Sequence, residues 1–91
     1  MQTDNRHRFV ADVVVTLKPV VNDPQGLVVA DGLRAQGFQE VEAARVGKYI
    51  RLELEGDDQE QAGRRVEQMC RSLLCNGVIE DFSFQLRTES E

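Results

Sequence analysis

The sequence contains few of the residues from which catalytic and nucleic-acid-binding sites are usually built. Among 91 residues it has one histidine, two cysteines, no tryptophan, one tyrosine and four phenylalanines. A Ser/His/Asp triad needs its histidine on an ordered scaffold, whereas His7 lies in a polar stretch near the start. A zinc motif with two histidines cannot be assembled at all. The aromatic residues are also too few for base-stacking platforms.

The two cysteines do not form a recognisable metal or redox motif. Cys70 and Cys75 have a spacing that fits neither a CxxC redox pair nor a zinc knuckle. On a continuous α-helix they would lie about 140° apart around the helix axis. We therefore expect two thiols that are buried or neutral.

Charge and hydropathy exclude two further classes of partner. Sixteen acidic residues against eleven basic ones give a net charge of -5, whereas binding to a phosphate backbone requires clustered cations. No apolar run approaches the ~20 residues that span a bilayer, and the polar start does not resemble a secretory signal. We expect a cytoplasmic protein that binds neither nucleic acid nor membrane.

Length and hydrophobic patterning predict one small domain. We expect a flexible leader at 1–8, a single domain at 9–86 and a polar tail at 87–91. A hairpin turn is expected at Gly47-Lys48. The pattern of apolar residues predicts strands at 9–17, 41–46, 49–55 and 78–86.

Two segments between the strands have the periodicity of amphipathic helices. The first begins at Asp23-Pro24, because aspartate is a good N-cap and proline fits the first helical position. It ends at Gly37, and the second helix follows Asp57. Leu27 and Val28 fall off the apolar face of the first helix, which indicates a contact surface.

The order of the elements predicts an α+β fold. Strand, helix, strand, strand, helix, strand is the ferredoxin-like βαββαβ order, with a four-stranded antiparallel sheet and two helices on one face. The core is predicted from the apolar residues that would face the interface between sheet and helices. These residues are Val29, Leu33, Ile50, Leu52, Val66, Met69 and Phe82.

The sequence contains no motif for catalysis or metal binding. Gly47-Lys48 is not part of a phosphate loop, because Glu42 and Tyr49 stand where glycine and serine or threonine belong. The acidic residues between 53 and 60 lack the Asp-x-Asp-x-Asp-Gly order of a calcium loop. We therefore expect no catalytic residue, no cofactor site and no metal site on this chain.

Four segments resemble, in the same order, the PurS family, the small subunit of phosphoribosylformylglycinamidine synthase. They are VTLKP at 15–19, DPQG at 23–26, RVGKYI at 45–50 and VIEDF at 78–82. The resemblance extends over nearly the whole chain. Val20 departs from it, since the family commonly has a glycine there, and Cys75 and Gly77 stand where alanine and proline are usual.

The resemblance implies a non-catalytic subunit in purine biosynthesis. Such a subunit is a homodimer or a dimer of dimers, and it associates with a large synthase subunit and a glutaminase subunit. It bridges the two and supports ammonia transfer, while ATP and Mg²⁺ are expected on the large partner and no cofactor on this chain. The family motifs and their loop positions together suggest partner contact for five residues: Lys18, Asp23, Gln25, Arg45 and Lys48.

Two functions of other classes remain open. A small-ligand regulatory module of the ACT type has the same order of strands and helices, and it would bind an amino acid as an isolated dimer. A small standalone enzyme would turn over its substrate without partners, which the inventory of side chains disfavours.

Overall fold

The computed structural model describes residues 7–89, which form a three-stranded antiparallel sheet with two helices. In chain order the elements are β1 (His7–Leu17), α1 (Pro24–Ala35), β2 (Lys48–Gly56), α2 (Gln59–Met69), a π-helical turn (Cys70–Leu74) and β3 (Glu80–Thr88). The predicted α+β class is confirmed. Positions 1–6 of the predicted leader and 90–91 of the predicted tail lie outside the described residues, whereas His7, Arg8, Arg87 and Thr88 belong to strands.

β1 lies at the centre of the sheet and pairs with both other strands. Val13 stands opposite Ile50 of β2 and opposite Phe84 of β3. The strand is rich in valine, whose branched side chain suits the pleated surface of a sheet. Its inward positions are almost completely buried, at 3% exposure or less, and they are Phe9, Ala11, Val13 and Val15.

α2 and the π-helical turn cover one face of the sheet. Val66 and Cys70 are fully buried and pack in the same cluster as Ala11, Val13 and Val15. The sheet is therefore well covered over its centre and less completely over its edges. The apolar residues of the flanking strands are half-buried around this core: Ile50, Leu52, Leu54, Phe82, Phe84 and Leu86.

Residues 7–89 form three strands rather than the predicted four. Residues 41–47 have no strand structure, and β2 begins only at Lys48. A strand needs a neighbour that supplies hydrogen bonds, whereas this segment runs along α1, where Arg34 Nη1 donates to Val41 O (2.7 Å). The predicted hairpin at Gly47-Lys48 is wrong for the same reason.

α1 does not pack on the sheet, which corrects the prediction of two helices on one face. It has no extensive contact with any strand or with α2. The molecule measures 63 × 30 × 15 Å. Its Cα radius of gyration is 17.9 Å, whereas a compact chain of this length would have about 12 Å.

Because α1 leaves the sheet, part of the predicted core is exposed. Val66 is fully buried as predicted, but Val29 of α1 is 42% exposed. The prediction for Val29 is therefore wrong. The remaining predicted core residues are half-buried rather than buried: Leu33, Ile50, Leu52, Met69 and Phe82.

Candidate docking site

Residues 23–47 form an arm that projects from the sheet and consists of α1 and the segment that returns along it. The chain reverses at Gly37, whose φ of 107° is a conformation that glycine adopts readily. Phe38 N donates to Leu33 O (3.0 Å) directly after this reversal. Further along the segment, Arg34 Nη1 donates to Val41 O. The returning segment is therefore held against the helix.

Gly26 allows the returning segment to approach the helix very closely. A Cβ atom at this position would overlap Ala44 O and would lie 2.9 Å from Asp23 Oδ2. Glycine is therefore required for this packing. Gly32 lies on the same helix, but a Cβ atom there would meet nothing within 4 Å. Backbone contact at Gly26 thus takes the place of side-chain packing.

The outer surface of the arm is apolar. α1 buries only Gly26 and Ala30. Leu27 and Val28, which the sequence indicated as a contact surface, are 56% and 71% exposed. Their predicted exposure is confirmed. Four large apolar residues of the arm are exposed by 42% or more: Leu27, Val28, Val29 and Phe38.

Asp23 connects the two parts of the arm. This residue is buried, and its Oδ1 accepts from Gly26 N (2.9 Å) while its Oδ2 accepts from Val46 N (2.8 Å). The hydrogen bonds from the Val46 and Gly26 amides, aided by the Arg45 charge 3.9 Å away, lower the pKa of Asp23 below its usual value. Both carboxylate oxygens are thus bonded inside the chain. Any contribution of Asp23 to partner contact is therefore made through the geometry of the arm.

Arg45 joins the arm to the sheet. Its Nη2 donates to the carbonyl oxygens of Lys18 (2.9 Å) and Val21 (3.1 Å). These two residues close a turn, since Val21 N donates to Lys18 O (2.9 Å). Lys18 N in turn donates to Ile79 O (2.9 Å), directly before β3. A continuous series of hydrogen bonds therefore links β3 to the arm.

The other predicted contact residues lie at the same end of the sheet. Lys18 Nζ pairs with Asp81 Oδ1 (2.7 Å), and Lys48 Nζ lies 3.8 Å from Glu80 Oε2. A cleft of about 250 Å³ beside them is lined in part by Gln25, Lys48 and Glu80. All five residues suggested by the sequence therefore meet where the arm joins the sheet.

The polar groups at this junction form ion pairs and hydrogen bonds to the backbone. Within residues 7–89, no group of three histidine, cysteine or acidic side chains is arranged to hold a metal ion. Cys70 is a free thiol whose pKa is raised by burial, which makes it a poor nucleophile.

Neither helix of this part of the chain has the length and apolar character that a membrane span requires.

The face of the sheet opposite α2 carries a polar cluster that the sequence analysis missed. Tyr49 Oη donates to Asp12 Oδ1 (2.5 Å), and Arg87 Nε donates to Asp12 Oδ2 (3.1 Å). These two hydrogen bonds lower the pKa of Asp12, and the first of them raises the pKa of Tyr49. The three residues come from three strands. Only the order and register of the strands, which the sequence does not specify, bring them together.

Comparison with known proteins assigns this architecture to a family. The family model of PurS, described as phosphoribosylformylglycinamidine (FGAM) synthase, matches residues 10–88. The chain belongs to the PurS family. The match runs from β1 to the end of β3 and so includes both the sheet and the arm.

Individual PurS proteins match this chain over most of their length. The PurS subunit of FGAM synthase from Synechocystis sp. is 41% identical over 80 residues, which cover 88% of this chain and 80% of the relative. The PurS structure from Thermus thermophilus has a TM-score of 0.83 at 30% identity, covering 91% of this chain and 99% of that one. A chain in the PurLQS structure from Thermotoga maritima has a TM-score of 0.79 at 32% identity, covering 90% and 98%.

Proposed function

We propose that this chain is the small, non-catalytic PurS subunit of FGAM synthase and acts in de novo purine biosynthesis. The observation that carries the proposal is the match to PurS subunits over nearly their whole length, which reaches 99% of the Thermus thermophilus chain. The arm supports a role in contact, because internal polar bonds hold it in place while its apolar residues are exposed.

The proposed partners are a large synthase subunit and a glutaminase subunit. The PurLQS structure from Thermotoga maritima, which includes a chain similar to this one, supports such an assembly. A small subunit that bridges the two would keep ammonia from escaping into water between the site that makes it and the site that uses it. ATP and Mg²⁺ would bind to the large subunit. A cytoplasmic location stays a prediction.

We also propose that the subunit is a homodimer or a dimer of dimers. The sheet ends at β2, whose outer edge can accept a further strand, and the inward residues Ile50, Leu52 and Leu54 are only half-buried. The arm meanwhile exposes its apolar residues. A second copy whose arm lay along this flank of the sheet would cover both surfaces, and two-fold symmetry would make the exchange reciprocal.

Reconstitution tests the proposed function. The large synthase and glutaminase subunits are mixed with and without this chain, and glutamine-dependent FGAM formation is measured together with the mass of the complex. We expect both activity and the complete complex only when the chain is present. Full activity in its absence would contradict the proposal, and so would consumption of glutamine or ATP by the purified chain alone.

A variant of the arm tests the homodimer. Leu27→Gln combined with Val28→Thr makes the exposed surface polar while keeping similar size and helix propensity. We expect the dissociation constant of the dimer to rise by at least about tenfold in analytical ultracentrifugation, because buried apolar contacts carry most of an interface. Val14→Thr is the matched control, since Val14 is exposed on the sheet and outside the arm. Unchanged self-association of the double variant would count against the proposed interface.

A further inference from the structure

Asp23 makes more contacts than the N-cap of a helix requires. A capping side chain satisfies one of the free N–H groups in the first helical turn, as Oδ1 of Asp23 does for Gly26. Its other oxygen accepts from Val46 N (2.8 Å), which lies 23 positions further along the chain. Burial of a carboxylate is costly unless such bonds compensate it. The bond to Val46 therefore has a role other than capping α1.

Asp58 shows what a cap without this second contact looks like. It is the N-cap of α2, and its Oδ1 accepts from Gln61 N (2.8 Å), three positions away as in α1. Asp58 is exposed, whereas Asp23 is 5% exposed. The two aspartates thus share the local role and differ in the long-range bond, which makes Asp58 a reference for the effect of capping alone.

The bond from Asp23 to Val46 matters because little else orients α1. The helix lacks extensive contact with the sheet and with α2, and its apolar residues Leu27, Val28 and Val29 are exposed. The contacts that tie the start of the helix to the rest of the chain are the close backbone approach at Gly26, the Asp23 carboxylate and the Arg45 bonds to the turn at 18–21, while Arg34 holds the returning segment further along. These contacts take the place of the hydrophobic interface that orients most helices.

We propose that Asp23 is a positioning residue for assembly, because its carboxylate joins the start of α1 to the returning segment and so sets the direction of the arm. The proposal rests on the homodimer proposed above, in which the exposed residues of the arm meet a second copy of this chain. An arm that is already held in its bound direction loses less conformational entropy on association. Asp23 therefore strengthens the dimer without touching the partner.

Serine at position 23 separates capping from bridging. Serine is a comparably good N-cap, but it has one side-chain oxygen where aspartate has two, so it lacks a counterpart of the Oδ2 that accepts from Val46 N. In Asp23→Ser we expect the Val46 amide to exchange with solvent at least about tenfold faster. We expect the dimer dissociation constant to rise by about tenfold, while NMR chemical shifts show that α1 stays helical. Asp58→Ser is the matched control and should change neither quantity.

The outcomes distinguish this proposal from the homodimer itself. If Asp23→Ser leaves the Val46 exchange rate or the dissociation constant unchanged, the positioning role is overturned even though the wild-type chain dimerises. An equal rise of the dissociation constant in Asp58→Ser would also overturn the positioning role, because the loss of an aspartate cap alone would then explain the effect. A wild-type chain that sediments as a monomer at all concentrations would instead overturn the homodimer, and the positioning role would fall with it.

Discussion

The apolar side chains of the sheet and α2 form a buried core, whereas four large apolar side chains of the arm are exposed. The largest fully buried side chains are Val10, Val13, Val15, Val66 and Cys70, and none of them lies in the arm. The arm buries only small residues of α1 and the Asp23 carboxylate. Hydrophobic burial therefore stabilises the first region, while backbone contact and polar bonds hold the second. The first region thus has a hydrophobic core of its own, although Ile50, Leu52 and Leu54 at its edge stay half-buried, whereas the arm has no such core.

The largest effect on stability is expected from a cavity in the sheet region. Val66→Ala removes two methyl groups from a fully buried position, so the free energy of unfolding should fall by about 2–3 kcal/mol. Urea denaturation measures the loss. Val28→Ala makes the same change at a position that is 71% exposed, and it should cost less than about 0.5 kcal/mol while the chain is monomeric. If the two variants lost equal free energy of unfolding, the proposed difference in packing between the two regions would be wrong.

The backbone contact of the arm can be tested with two glycines on the same helix. Gly26→Ala places a methyl group against Ala44 O and should destabilise the arm by about 1–3 kcal/mol. Gly32→Ala faces open space and should stabilise α1 by up to about 1 kcal/mol, because alanine favours the helix. Amide hydrogen exchange of α1 reports both changes. A stabilising Gly26→Ala would show that the close approach does not hold the arm.

Low pH should reduce the stability of both regions, because each contains a carboxylate whose pKa is lowered by folding. Hydrogen bonds lower the pKa of Asp12 in the sheet and of Asp23 in the arm. Because each folded-state pKa lies below the unfolded value of about 3.9, the stabilisation is complete above that pH and is lost as the pH falls through the folded pKa.

Thermal unfolding followed from about pH 6 to about pH 2 measures this loss. We expect the melting temperature to fall below about pH 4. Asp12→Asn and Asp23→Asn should each show a smaller fall on acidification than the wild-type chain, since each variant lacks one of the two groups. A variant that lost as much stability as the wild type would show that its carboxylate does not contribute.

The smallest effect on stability is expected from the lysines where the two regions meet. Lys18→Glu and Lys48→Glu break partly exposed ion pairs with Asp81 and Glu80, so each should cost less than about 1 kcal/mol. Both should nevertheless weaken assembly with the large subunits, measured by complex mass. Arg64→Glu on the exposed side of α2 serves as the control. Normal assembly and turnover of the lysine variants would contradict their assignment to partner contact.

The ends of α1 could be predicted because their signals are local. Asp23 caps the helix through Gly26, three positions away, and Pro24 occupies the first helical position. Gly37 adopts the positive φ at which the chain leaves the helix. None of these signals depends on a distant part of the chain.

The fourth strand and the position of α1 could not be predicted in the same way. The pattern at 41–46 is typical of a strand, but a strand forms only where another edge supplies its hydrogen bonds. Here Arg34 and Asp23 bond this segment instead. The predicted burial of Val29 is wrong for a related reason. Helical periodicity identifies an apolar face but does not determine which part of the chain packs against it.

The structure brings the five predicted contact residues together at one end of the sheet, and their contact with a partner stays a prediction; the sequence could not distinguish their roles. Asp23 and Arg45 bond to the backbone of the chain itself, whereas Lys18 and Lys48 form exposed or partly exposed pairs. A charged residue in a loop is as typical of hydrogen bonding within the chain as of contact with a partner. The two roles are distinguished by the burial of the side chain and by the atoms to which it bonds, and these depend on the folded geometry.

The sequence by itself determined where β1, α1 and α2 lie and that the chain belongs to the PurS family, because caps, alternation and motifs act over a few neighbouring residues. Only the tertiary structure decided that α1 leaves the sheet, that Asp23 is buried and that Val29 is exposed. These features depend on which distant surfaces meet, since burial and hydrogen bonding gain free energy only when both partners are brought together.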